Sequence, residues 1–376
     1  MNNAFSMIYA RQGDPQLRDL IELRSAAALP IAGRYRVIDL LLSNLTNSGV
    51  RSVGIITQRN YNSLMDHLGS GKEWGMSKKV GGMHILPPYD LYTGSDLYRG
   101  FADALLSKRD FVEHQRQPYC LLIGTEFLYR QDYNELMERH IESGADVTVL
   151  YTRDKRMLEG DIDTVTFFEM DGDRVVDVTE EPTGSENCVA NMRVTFMKKE
   201  LLKRLVEDCC AEGEYEFDEG VLKAAARDLK VVGVEHKGYV GRVTSVKSYF
   251  DVNQDMLDKN VRRDLFNPEF PVYTKTMDAP PTKFSRGCEV EHSLFGNGCS
   301  VYGRVKNSIV FRGVQIEQTA DVENCIIMAG SRIKSGAKLR NMIIDKGAVI
   351  ERDVRCISAP YAPKIIRKRA IVEKDL

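Results

Sequence analysis

Asn307-Ser308-Ile309-Val310, Asn324-Cys325-Ile326-Ile327 and Asn341-Met342-Ile343-Ile344 recur 17 residues apart. Around them, small or branched apolar residues return at a spacing near six, as at Ile316, Val322, Ile333, Leu339 and Ile350. A triangular parallel β-helix requires such a period, with one short strand per side and inward residues stacked from coil to coil. A sandwich would instead show strands at ~8–12-residue spacing without a fixed repeat. Residues 282–376 are therefore expected to form a parallel β-helix. Its coil ends need covering, by the preceding domain or by a partner subunit.

Upstream of this array the pattern changes. Residues 1–255 alternate short apolar runs with helical stretches. Phe5 to Tyr9, Val53 to Thr57, Tyr119 to Ile123 and Val147 to Tyr151 read as strands, and Val37 to Asn47 and Asp132 to Ser143 as helices. Strand–helix–strand succession predicts a parallel sheet covered on both faces. Asp171-Gly172-Asp173 reads as a hairpin turn in an antiparallel excursion from that sheet. The proline-bearing stretch 256–281 reads as the linker.

The length of 376 residues suits two domains. A net charge of −2 leaves no basic field for nucleic acid. No apolar run reaches the ~20 residues of a membrane span. Met1 to Ala10 lacks the basic leader and apolar segment of a secretory signal. The eight cysteines show no C-x-x-C spacing, so reduced thiols in a cytoplasmic protein are expected.

Several segments carry a resemblance: Gly33-Arg34-Tyr35-Arg36-Val37-Ile38-Asp39 with Leu42-Ser43-Asn44-Leu45-Thr46-Asn47-Ser48-Gly49, then Gly54-Ile55-Ile56-Thr57-Gln58. Tyr98-Arg99-Gly100-Phe101-Ala102-Asp103-Ala104 and Pro280-Pro281-Thr282-Lys283-Phe284 extend it. The chain resembles the ADP-glucose pyrophosphorylase (glucose-1-phosphate adenylyltransferase) family over essentially its whole length, and within it the GlgD-type, non-catalytic subunits. The resemblance implies a Rossmann-like nucleotidyltransferase domain with a mixed, mostly parallel sheet, followed by a left-handed parallel β-helix. It also implies a role in transferring AMP from ATP to glucose 1-phosphate, with release of pyrophosphate, for bacterial glycogen synthesis.

That chemistry brings several negative charges together, so it needs Mg²⁺ on carboxylates and nearby cations. Several matching positions depart from the need. The loop that would cradle a triphosphate reads Arg11-Gln12-Gly13-Asp14-Pro15-Gln16-Leu17, where Asp14 adds negative charge, Pro15 has no N–H, and Gln16 replaces the family's arginine. The lysine that would meet the phosphates falls on Ala26, and the lysine for the sugar phosphate falls on Glu181. A threonine near the nucleotide becomes Phe101. Of the two metal aspartates, one becomes Glu126 and the other Arg242, whose guanidinium repels Mg²⁺. No catalytic residue set is intact, and no cofactor is expected; Mg²⁺ enters only if Glu126 serves as a lone carboxylate in a weakly active enzyme.

Arg24, Arg36, Asp39 and Asp218 remain as residual ligand or effector contacts, each with a structural role as the alternative. Asp218 in particular could cap a helix. His67, His84 and His140 are isolated and expected to be packed or solvated. Lys78-Lys79 and Arg262-Arg263 read as surface charge. Trp74 and Tyr89 lie in a stretch that serves as a lid or a subunit contact. By resemblance, the chain is a catalytically degenerate regulatory subunit working with a catalytic paralogue in a hetero-oligomer, a heterotetramer, and responsive to a sugar-phosphate effector. The alternatives are a weakly active transferase and a stand-alone metabolite sensor. An acyltransferase built on the coils ranks last, since only His292 stands near a coil as its base.

Overall fold

The structure, a computed structural model, describes residues 1–11, 13–77, 81–88, 98–159 and 165–376. Gln12, Lys78, Lys79 and Tyr89 lie outside the described residues. The first domain is built on a nine-stranded mixed sheet. Its strands are β1 (Ala4–Ala10), β2 (Ser52–Thr57), β3 (Gly82–Leu86), β4 (Tyr119–Gly124), β5 (Val147–Thr152), β6 (Phe167–Asp171), β7 (Arg174–Thr179), β8 (Cys188–Lys198) and β9 (Val231–Glu235). Their order is β3-β2-β1-β4-β8-β5-β9-β7-β6. Every residue of β1, β2 and β5 is buried, as expected for strands covered on both faces.

Helix α1 spans Val37–Asn47, as the periodicity predicts, and Asp39 closes its first turn by accepting the Arg36 N–H. Helix α2 spans Asn134–Ser143 and ends at Gly144 in the left-handed region. Asp132 stands just ahead of it, its carboxylate accepting the Asn134 N–H at 3.0 Å.

Two expectations about the sheet need correction. The hairpin does not leave it: β6 and β7 join at Gly172-Asp173 and pair back onto β8 and β9. The central strand is β8, which runs antiparallel to both β4 and β5 and was absent from the strands read in the sequence. Its pattern is broken by a bulge between Asn191 and Val194, where Arg193 takes φ 53°.

Residues beyond 282 form the left-handed parallel β-helix, with three sheets of six, five and five strands. Ile316, Val322, Ile333, Leu339 and Ile350 are fully buried inside it. The registers Val301↔Ile316, Ile316↔Ile333, Ile333↔Ile350 and Ile350↔Val372 give coils of 15, 17, 17 and 22 residues. Asn307, Asn324 and Asn341 turn the same corner with φ of 46°, 53° and 54°. Asparagine tolerates that conformation, and its side chain bonds along the ladder, Asn324 to Asn341 and Asn341 to the Ser358 carbonyl. His292 (φ 43°) occupies the corner of the preceding coil and bonds Asn307 at 2.9 Å, which gives it a structural place in that ladder.

The paired apolar residues of the repeat now have separate roles. Val310, Ile327 and Ile344 fill the β-helix, whereas Ile309, Ile326 and Ile343 face outward and share a core with Leu17, Leu29, Val37 and Tyr249. The first domain thus packs on a side of the β-helix and not on its end. Phe284 and Val290 in the first coil stay about half exposed. Between the domains, 256–281 folds onto the first domain through a helix, Lys259–Leu265, with Leu265 fully buried. Thr274 donates to Asp39 at 2.6 Å.

Candidate functional site

The sheet's central edge carries the cleft in which a nucleotide would sit. The stretch from Gly13 to Leu17 leads into a short 3₁₀ helix, Pro15–Ile21, capped by Asp14. Asp14 takes two of the donors there: its carboxylate accepts the Gln16 N–H at 2.7 Å and its carbonyl the Leu17 N–H at 2.9 Å. Pro15 has none to give. A phosphate brought to this helix start would meet the Asp14 carboxylate, where a binding loop would offer free N–H groups. Gly13 (φ 112°) lies flat on Ala26; a Cβ there would come within 2.9 Å of the Ala26 Cβ.

Glu126 follows β4 at the cleft floor, and its carbonyl accepts the Val243 N–H at 2.7 Å. Gly241–Arg242 pairs with Phe127–Leu128, so the two positions matching the metal aspartates do come together. Beside Glu126 lies a cavity of about 10 Å³, lined by Asp14, Ala26 and Thr244 among others. It has room for no more than one water molecule. A second void of about 10 Å³ lies beside Tyr9, Phe101, Arg193 and Asp218. Phe101 stacks on Tyr9 with centroids 4.6 Å apart, and Phe217 packs at 5.5 Å. Side chains therefore fill the volume among the described residues.

Arg193 is the residue that the sequence reading missed. The β8 bulge points it into the cleft, where Nη1 lies 3.2 Å from Glu126 Oε1 and Nε lies 3.3 Å from Asp218 Oδ2. Burial works against its charge, but Glu126, Asp218, Glu216 and Glu219 outweigh it and hold the guanidinium firmly protonated. Burial pushes the Asp218 carboxyl up, with Arg193 pulling the other way. Asp218 thus pairs with a buried arginine from the first turn of the short π-helix Phe217–Leu222, and does not cap it: that helix has no side-chain cap.

Other expected residues lie elsewhere. Glu181 is exposed, away from these contacts. Gln16 faces a groove beside the last coil, alongside Tyr361 and Lys364. Trp74 is fully buried in a 3₁₀ turn, so it is neither a lid nor an exposed contact. His67 bonds Asp39 at 2.5 Å, His140 bonds Thr148 at 2.9 Å, and His84 packs on Phe111. Among the described residues, no group of three or more His, Cys, Asp or Glu side chains is placed to hold a metal ion. All eight cysteines are free. No helix of the described residues is long and apolar enough to cross a membrane.

A second cleft, about 630 Å³, opens between the domains. Arg24, Arg34, Arg36, Lys275, Arg312, Lys346 and Lys368 line it, against a single carboxylate, Asp66. Arg24 is held by a buried ion pair to Asp345 of the β-helix, and Arg36 donates to the Ser63 carbonyl at 2.7 Å. Burial lowers the Arg312 and Lys346 pKa values, and neighbouring cations lower them further. Asp39, fully buried, supports this wall from behind through Arg36, His67 and Thr274. Arg24 and Arg36 are thus cleft residues, Asp39 is a structural hub, and Asp218 belongs to the other cleft. A cluster of cations that outnumbers its carboxylates in a concave site attracts a multiply charged anion.

Comparison with known proteins agrees with this architecture. Residues 15–259 match the Nucleotidyl transferase family and residues 280–357 the GlmU-like, C-terminal hexapeptide family. The chain is 32% identical to a glucose-1-phosphate adenylyltransferase of Halalkalibacterium halodurans over 327 residues, covering 84% of this chain and 83% of that one. It is 31% identical to the enzyme of the same description from Geobacillus stearothermophilus, over 85% of this chain and 82% of that one. It is equally 31% identical to the glycogen biosynthesis protein GlgD of Bacillus subtilis, over 80% of this chain and 77% of that one.

Proposed function

The chain belongs to the glucose-1-phosphate adenylyltransferase family, and from that premise we propose that it is a cytoplasmic, catalytically degenerate regulatory subunit. In this reading it assembles with a catalytic paralogue in a hetero-oligomer, a heterotetramer, and modulates ADP-glucose synthesis for glycogen. The observation that carries the proposal is the filling of the nucleotide cleft among the described residues: Asp14 takes two of the loop's N–H donors, the two voids there are about 10 Å³ each, and an arginine stands between the carboxylates. Removing one transition-state donor typically costs ~10²–10³ in rate. Loss of two cations, one metal carboxylate and the loop together leaves, among the described residues, no group of metal-ligating side chains to substitute. Glu126 does not serve as a lone metal carboxylate here, since it is already paired with Arg193.

The open interdomain cleft supplies a place for regulation. Its seven cations fit a sugar phosphate or another compact anion, and its walls come from both domains, so a bound anion would bias their packing. The same cleft also supports a second reading, a stand-alone metabolite sensor. Titrating a catalytic paralogue with this chain separates them. A regulatory subunit shifts the paralogue's substrate affinity or activator response, whereas a sensor binds sugar phosphate by calorimetry and leaves the paralogue unchanged.

A further inference from the structure

Enzymes of this fold use a divalent metal on cleft carboxylates, and the residues here do not fit one. Arg242 takes one ligand position, and no cluster of three metal-ligating side chains exists among the described residues. Glu126 and Asp218 nevertheless remain as two carboxylates sharing the cleft floor, each more than nine-tenths buried. Two buried carboxylates without a counter-charge are costly to keep ionised.

We infer that Arg193 is a built-in counter-cation, a tethered guanidinium that neutralises Glu126 and Asp218 and renders the cleft independent of any divalent metal. Three features assign it this role. The guanidinium contacts both carboxylates, at 3.2 and 3.3 Å. The β8 bulge is built to aim it: Arg193 takes φ 53°, its N–H donates to Asn191 Oδ1 at 2.8 Å, and Asn191 Nδ2 donates to Thr166 Oγ1 at 2.9 Å. Gly124 leaves the room, since a Cβ there would meet Arg193 Cβ at 2.9 Å and the second Glu126 oxygen at 2.4 Å. That oxygen, Glu126 Oε2, is buried without a hydrogen-bond partner, as an oxygen would be if its usual ligand had been replaced by a bulkier, less complete one.

The inference holds whether or not the chain regulates a partner, because it concerns only the charge balance of the closed cleft. Thermal melting and Mn²⁺ binding, by electron paramagnetic resonance on the full chain, test it. The unaltered protein is expected to melt at the same temperature in Mg²⁺ and in chelator, and to bind no Mn²⁺ that Glu126→Gln removes. Arg193→Ala leaves two buried carboxylates facing each other and should lower the melting temperature on the order of 10 °C. Mn²⁺ should restore part of that loss while binding at a site absent from the parent. Arg193→Met with Glu126→Gln and Asp218→Asn removes all three charges together and should return most of the melting temperature without metal, even if Arg193→Ala alone fails to fold. A parent protein that binds Mn²⁺ through Glu126 would overturn the assignment. So would a triple variant no more stable than Arg193→Ala.

Discussion

Restoring Asp at positions 242 and 126 rebuilds the two metal carboxylates and leaves everything else in the cleft as it is. Asp14 still caps the helix that should meet the phosphates, Phe101 still stacks on Tyr9, and Arg193 still stands over the floor. Groups that act as a unit are non-additive, so the Glu126→Asp, Arg242→Asp protein should release no measurable pyrophosphate from ATP and glucose 1-phosphate. A rate within about a hundredfold of ordinary turnover, ~1–10³ s⁻¹, would show that the 11–17 loop still holds the phosphates. In the second cleft the residue to follow is Lys346, whose pKa is lowered by burial and then by Lys368, Arg36 and Arg24. Raising pH through that depressed value removes one positive charge from the cleft. A phosphomonoester is already fully ionised above pH ~8, so its own titration adds nothing there. Calorimetry should therefore show sugar-phosphate affinity weakening as pH rises from about 8 toward the ordinary lysine range. Lys346→Gln should bind more weakly at pH 8 and show a flatter slope; an unchanged slope would place the anion elsewhere.

At the scale of elements, the Asn ladder is the part that the sequence displays most openly. A fixed repeat of Asn followed two residues later by an apolar pair reports the corner, the inward residue and the outward one together. What it hides is coil length. The 15-residue step from Val301 to Ile316 and the 22-residue last coil break the period, the last through the stretch that carries Tyr361 and Pro363. Helix α1 was legible to its ends because Asp39 caps it and its apolar face is continuous. Strand β8 was not, because the bulge at Arg193 disrupts alternation exactly where the pattern is read, and the arginine inside an apolar strand was the signal available. That neither Ala26 nor Glu181, where the resemblance places lysines, carries a positive charge is plain from residue type alone. The interdomain cleft could not, since its cations are scattered from Arg24 to Lys368 and meet only in three dimensions. A direct check of the ladder is Asn341→Ala, which loses the bonds to Asn324 and Ser358 and forces alanine to φ 54°. It should cost about 2 kcal/mol in chemical denaturation. Asn341→Gly, relieved of the backbone strain, should cost less; equal losses would mean that conformation contributes nothing.

For the molecule as a whole, the two domains share one apolar core and a buried Arg24–Asp345 ion pair. Deleting 282–376 uncovers Leu17, Leu29 and Val37 and leaves Arg24 without its carboxylate, so the remaining domain should associate and melt earlier than the full chain. Size-exclusion chromatography with light scattering reads this directly, and a monodisperse monomer with the full chain's melting temperature would contradict it. On the proposed reading, an anion bound in the interdomain cleft would act through this shared core on domain packing, and so on a partner. The central claim is that the chain regulates without catalysing. The measurement that tests it most directly is ADP-glucose synthesis by a catalytic paralogue titrated with this chain, beside the chain alone. The chain alone is expected to release no pyrophosphate, and the mixture to show a higher apparent substrate affinity or activator response that saturates with added chain. A paralogue unchanged by excess chain, or turnover by the chain on its own, would contradict it.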